Sequence, residues 1–229
     1  QIITISADGA SVVAAADIDG DGDMDVLSAS WNVDKIAWYE NTDGSGNFGS
    51  QQNITTSADY PEYVCSADLD GDGDVDVLSS SSSDNKIAWY ENTDGLGTFG
   101  VQQIISTDMI EPSRICASDI DNDGDMDVIV GADDDRVAWF ENYGTGSFGT
   151  IQIIQTSIQN PLAYAADMDE DGDVDVISFS SAGNSIDWHE NDGNGTFIRK
   201  IRITDVSSCS AVFPCDIDSD CDVDILGWP

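Results

Sequence analysis

Basic residues are scarce: 7 Lys and Arg face 45 Asp and Glu in 229 residues, a formal charge of −38. A chain so short of cations has no basic face for phosphates, which excludes nucleic-acid binding of the usual electrostatic kind. Apolar runs are short, and none approaches the ~18 residues that a membrane helix needs. Histidine occurs once, as His189. No Gly-x-Ser-x-Gly elbow, zinc-ligand spacing or phosphate loop is found. Carboxylates abound, yet no glycosidase pair stands out from the rest. No stretch holds a helical period over ten residues. What remains suffices for a core: 40% of the residues are hydrophobic and six are Trp. The acidity is therefore not that of a disordered tail.

The residues repeat. An acidic run, Asp-x-Asp-x-Asp-Gly-Asp-x-Asp, starts at Asp17, Asp68, Asp119 and Asp167, with a variant at Asp216. The intervals are 51, 51, 48 and 49 residues. A second motif follows the first four runs: Lys35 to Asn41, Lys86 to Asn92, Arg136 to Asn142 and Ser185 to Asn191. After it come a Gly-rich turn, a Phe (Phe48, Phe99, Phe148 or Phe197) and a Gln/Ile-rich stretch. Each unit reads as four short strands: before the acidic run (Ser11 to Ala16), after it (Asp25 to Ser28), the Trp motif, and a segment like Gln51 to Thr55. Ile36, Ala37, Trp38 and Tyr39 are apolar on both alternating faces, so both faces of each sheet are covered. Four-stranded sheets repeated about every 50 residues and packed on their neighbours describe an all-β fold, a β-propeller of about five blades. The units run approximately over 7–57, 58–107, 108–155, 156–204 and 205–229 plus 1–6, in a single domain.

Five carboxylates in nine residues repel one another unless a cation sits among them, and an all-oxygen cage suits Ca²⁺. An EF-hand would need Glu at loop position twelve and a helix beyond it. Position twelve is Ser28, Ser79, Val130, Ser178 and Gly227, followed by a β pattern. A nine-residue acidic loop entering a strand instead resembles the FG-GAP or VCBS repeat family, the calcium-loop propellers that include the integrin head. The resemblance covers nearly the whole chain and implies about five structural calcium ions. It implies carboxylate ligands at positions one, three, five and nine, and a backbone carbonyl at position seven. These are Asp17, Asp19, Asp21 and Asp25 with Asp23; Asp68, Asp70, Asp72 and Asp76 with Asp74; and Asp119, Asp121, Asp123 and Asp127 with Asp125. The fourth set is Asp167, Asp169, Asp171 and Asp175 with Asp173, and the fifth is Asp216, Asp218, Asp220 and Asp224 with Asp222. Position six needs a residue that tolerates positive φ, hence Gly22, Gly73, Gly124 and Gly172; the fifth loop has Cys221 there. Five divalent ions would take −38 only to −28.

No fifth Trp motif follows Trp228-Pro229, while residues 1–6 resemble the fourth strand of a blade. Strand three of blade five is thus missing from the sequence. An excerpt of a longer protein, an irregular blade and a strand donated by another chain all fit. Cys65 and Cys116 occupy equivalent places and form either an inter-blade bridge or two buried thiols. Cys215 and Cys221 flank the fifth loop and could clamp it. Cys209 lies about 20 Å from Cys215 along the strand and cannot pair with Cys221 within the blade. Asn53 and Asn194 open glycosylation sequons. With calcium loops suited to millimolar ion, they point to a secreted or cell-surface setting.

His189 falls where other units carry Tyr39, Tyr90 and Phe140 and reads as a strand residue. The connections that vary between units share the end of the blades opposite the calcium loops, where the integrin family places its ligand contacts. Trp31, Tyr60 and Pro61 are the ligand-binding candidates there, for a protein or glycan partner. The sequence is thus read as a non-catalytic, extracellular, calcium-stabilised interaction or adhesion module, without membrane insertion. A structural subunit of an extracellular assembly and a glycan-binding lectin are the alternatives. Self-association is expected through blade five, aided by Arg199, Lys200 and Arg202 on the outer strand of blade four and by Cys209.

Overall fold

Short β-branched and aromatic segments, each closed by an Asp-Gly or Gly-rich turn, form antiparallel ladders in strict chain order. The computed structural model describes residues 2–180, 182–203, 211–218 and 222–228. The first sheet contains β1 (Ala10–Ala16), β2 (Asp25–Ser30), β3 (Lys35–Tyr39) and β4 (Gln52–Thr55). The second contains β5 (Pro61–Ala67), β6 (Asp76–Ser81), β7 (Lys86–Tyr90) and β8 (Gln103–Ser106). The third contains β9 (Pro112–Ser118), β10 (Asp127–Ala132), β11 (Arg136–Phe140) and β12 (Gln152–Thr156). The fourth contains β13 (Leu162–Ala166), β14 (Asp175–Ser180), β15 (Ser185–Asn191) and β16 (Phe197–Ile203). A two-stranded sheet, β17 (Ala211–Cys215) and β18 (Asp224–Trp228), follows. These are the blades of an all-β propeller repeat, the last with two strands among the described residues.

Two compact units divide the chain within β9: residues 1–115 with 144–147, and residues 116–143 with 148–229. In the first, Ile18, Leu27, Ile36, Trp38, Val64 and Tyr90 form a buried core between the first two sheets. In the second, Ile120, Ile129, Val137, Trp139 and Val176 form one core, and Tyr164, Ile177, Phe179 and Val212 another. The middle strands are buried on both faces: β6, β10 and β14 have no exposed residue. That burial explains why their apolar residues do not alternate with polar ones.

One feature differs from the sequence expectation. Residues 2–9 form no strand. Ile3, Thr4 and Ala7 instead line a cavity of about 360 Å³ over Val13, Val26 and Tyr39 of the first sheet. A 3-10 turn occupies Trp31–Val33, between β2 and β3.

Candidate functional site

Each acidic run joins the first and second strands of its sheet, and its backbone is fixed by its own carboxylates. The N–H of position six donates to the position-one Asp: Gly22 to Asp17 and Gly73 to Asp68 at 3.0 Å, Gly124 to Asp119 at 3.1 Å, Gly172 to Asp167 at 3.0 Å. These glycines have φ between 94° and 97°, which a Cβ would strain. Position five accepts from the N–H of position seven at 2.9 Å in the first four loops.

The position-nine Asp holds the loop to the sheet. Asp25, Asp76 and Asp127 accept from position two through Oδ2 (Ile18, Leu69 and Ile120, 2.9–3.0 Å). Through Oδ1 they accept from the Asn that ends the Trp motif (Asn41, Asn92 and Asn142, 2.7–2.8 Å). Sequence reasoning did not single out this Asn, although its fourfold recurrence was visible. It is buried in every repeat. Its side-chain amide ties loops of neighbouring blades together, from Asn92 to the Ile18 carbonyl at 2.8 Å and from Asn191 to that of Ile120 at 2.6 Å.

Carboxylate oxygens converge within 4.8 Å in five places: Asp17, Asp19 and Asp25; Asp68, Asp70 and Asp76; Asp119, Asp121 and Asp127; Asp167, Asp169 and Asp171; Asp216, Asp218 and Asp224. The fit to a hard cation is good, because Oδ1 of Asp17, Asp121 and Asp167 is buried without any hydrogen-bond partner. These repeated clusters could bind metal ions. Asp21, Asp72 and Asp123 stand outside them, as does Asp175. The position-seven side chains turn toward the Gly-rich turns, Asp23 to Gly44, Asp74 to Gly95 and Asp173 to Gly193. Asp220 and Cys221 lie outside the described residues, as does Cys209.

The electrostatics match. Burial, then neighbouring like charge, raises the pKa of Asp19, Asp70, Asp121 and Asp169. Burial likewise lifts Asp76 to about 6 and Asp127 to about 7, against the hydrogen bonds that lower them.

At the opposite ends of the strands, Trp31 meets Tyr60 edge to face, with ring centroids 4.8 Å apart. Tyr60 has φ 58° and donates its N–H to Asp34 at 3.1 Å. With Glu62, Ser82, Ser83 and Glu111 it lines a polar cavity of about 320 Å³. Pro61 is buried, so the aromatic surface here comes from Trp31 and Tyr60. Asn53 and Asn194 are exposed. Cys65, Cys116 and Cys215 are half-buried thiols, and no disulfide occurs among the described residues. A bridge between Cys65 and Cys116 is thus not confirmed.

His189 is buried in a polar network of the second unit. Asp187, also buried, accepts from Arg202 Nε at 2.7 Å and Nη2 at 2.9 Å, from Lys200 at 2.9 Å and from Gln155 Nε2 at 2.8 Å. Two of the cations expected to drive self-association are thus engaged within their own sheet.

Four FG-GAP-like repeats match the chain, over residues 17–79, 68–130, 119–178 and 167–227. None of the curated protein sequences matches it. A solved Agrocybe aegerita lectin, described as specifically recognising non-reducing terminal N-acetylglucosamine, is 20% identical with a TM-score of 0.71 over 96% of this chain and 60% of its own. BBS1N, solved in complex with ARL6DN, is 14% identical with a TM-score of 0.61 over 90% of this chain and 61% of its own. The V. cholerae biofilm matrix protein Bap1 is 19% identical with a TM-score of 0.50 over 90% of this chain and 33% of its own. At such identities the likeness concerns the fold. The chain spans about three-fifths of the first two and a third of the last.

Proposed function

The chain belongs to the FG-GAP-like repeat family, and from that membership we propose that it is a non-catalytic, extracellular β-propeller stabilised by calcium and used as an interaction module. The observation that carries this reading is the fivefold convergence of carboxylates, with buried oxygens lacking any protein donor. Positions one, three and nine would hold the ion in the first three loops and the fifth, and positions one, three and five in the fourth; the ion supplies positive charge that screens the loop's own repulsion. The sequence offers no dedicated catalytic constellation, and the buried His189 is engaged in a structural network. Exposed sequons and loops suited to millimolar calcium support the extracellular placement. No helix of the described residues is long and apolar enough to cross a membrane.

Thermal melts with calcium and with EGTA test the structural-metal reading. Binding to the native state alone adds ~2.7 kcal/mol per site at a hundredfold excess over Kd. An unchanged midpoint would reject a structural ion. A protein ligand on the Tyr60 face is the partner this reading expects. The lectin reading is favoured by one further observation, the aromatic edge pair beside a polar cavity, a combination suited to a sugar ring. Glycan-array binding that Tyr60→Ala abolishes supports it; silence on the array leaves the protein-ligand reading. End-to-end polymers in electron micrographs would instead mark a structural subunit.

A further inference from the structure

One buried chain of hydrogen bonds joins the carboxylate sets of the first and second loops. In the first loop the Ile18 N–H donates to Asp25 Oδ2 at 3.0 Å. The Ile18 carbonyl accepts from Asn92 Nδ2 at 2.8 Å. The Asn92 backbone N–H donates in turn to Asp76 Oδ1 of the second loop, also at 2.8 Å. Asp25, Ile18, Asn92 and Asp76 are all buried, so bulk water does not replace a broken link. Asp25 and Asp76 each belong to the convergent set of their own loop. The contact recurs between the third and fourth blades: Asn191 Nδ2 donates to the Ile120 carbonyl at 2.6 Å, and the Ile120 N–H to Asp127 at 2.9 Å.

We infer that Asn92 couples the first two cation sites, so that filling the second loop tightens the first. The inference rests on the metal reading of the loops. In an empty loop the carboxylates repel one another, and the backbone must be ordered before a cation is held. Seating Asp76 fixes Asn92, Asn92 fixes the Ile18 peptide, and the Ile18 N–H fixes Asp25. Part of the ordering that the first loop needs is then already in place. One buried hydrogen bond corresponds to about fivefold in affinity. Direct electrostatics has the opposite sign, because an emptied second loop keeps more negative charge than a filled one and favours a cation nearby. Asn92 is thus a positioning residue that acts on both sites through other groups.

Calcium titration of the whole chain, followed in proton–nitrogen correlation spectra, tests this. The Gly22 and Gly73 amides, each bonded to the first Asp of its loop, report the two sites separately. Asp70→Ala should empty the second loop, leaving Gly73 unmoved, and weaken the first site about fivefold as read at Gly22. In an Asn92→Ala background the same substitution should leave the first site unchanged. An unchanged or tighter first site in Asp70→Ala overturns the inference, as does equal weakening in the Asn92→Ala background. Should Asn92→Ala not fold, the Asn92 side-chain amide resonance in Asp70→Ala decides. It must shift as the first site fills, and no movement overturns the inference. Calcium that moves neither Gly22 nor Gly73 in the wild type, or a Gly73 response unaltered by Asp70→Ala, overturns the metal reading itself.

Discussion

His189 Nε2 lies 3.1 Å from Ser178 Oγ, and the direction of that hydrogen bond follows from the groups around it. The Asp187 carboxylate only accepts, so Gln155 turns its amide nitrogen to it and its oxygen to Ser178, 2.7 Å away. The single Ser178 proton goes to that oxygen. His189 must therefore carry its proton on Nε2 and donate to Ser178. The chain of donors runs from the histidine to the aspartate. Burial, and then the charge of Lys200, holds the histidine pKa down at about 4, although Asp187 acts to raise it.

Acid should loosen the fourth sheet through this histidine. An unfolded His takes a proton near 6.5, whereas the folded one resists until about 4. Its contribution is complete above pH 6.5 and is lost as pH falls toward 4, by roughly 3 kcal/mol in all. His189→Tyr, the residue of the first two repeats, should flatten the slope of stability against pH in that window. Parallel slopes for the two proteins, measured by thermal melts at fixed calcium, would contradict it.

Asp187 should matter more than either of its cations. Its carboxyl is held down at about 2: burial alone would raise it, but Arg202, Lys200 and Gln155 outweigh that effect. Asp187→Ala strands Gln155 in the core and should cost about 2–4 kcal/mol in urea unfolding. Arg202→Ala removes a half-exposed partner while Lys200 remains, and should cost about 1 kcal/mol or less. A reversed order would mean that the cations, not the buried acceptor, organise the network.

Two glycines separate backbone strain from collision. A Cβ on Gly73 meets nothing within 4 Å, so Gly73→Ala should cost only the ~1–2 kcal/mol of a left-handed residue. Gly97 has φ 83° and carries the Trp38 ring on its face. Gly97→Ala should add about 1–3 kcal/mol of overpacking to the same strain. Denaturation midpoints of the two variants give the comparison, and equal losses would show that Trp38 can yield.

Asn92→Ala should destabilise more than Asn41→Ala. Asn92 donates to the carbonyls of both Ile18 and Val75, the first in the acidic loop of the neighbouring blade. For the amide of Asn41, by contrast, a bond to Met24 at 3.3 Å is found. Losing the cross-blade bond leaves a buried carbonyl unsatisfied, at about 1–3 kcal/mol. Urea unfolding of both variants at saturating calcium checks the order.

The sequence by itself determined the unit and where its acidic loops fall. The acidic loop positions, the position-six glycines and the strand order within a unit all follow from a 50-residue period, because each blade is built from local hairpins. Tertiary structure decided what passes between repeats or varies within one. Asn92 reaches Ile18, 74 residues away, a partner that no local pattern names. Gln155, Ser178, Asp187 and His189 look like scattered polar substitutions in the sequence. Folding brings them together, and a buried acceptor such as Asp187 can exist only because the others arrive beside it.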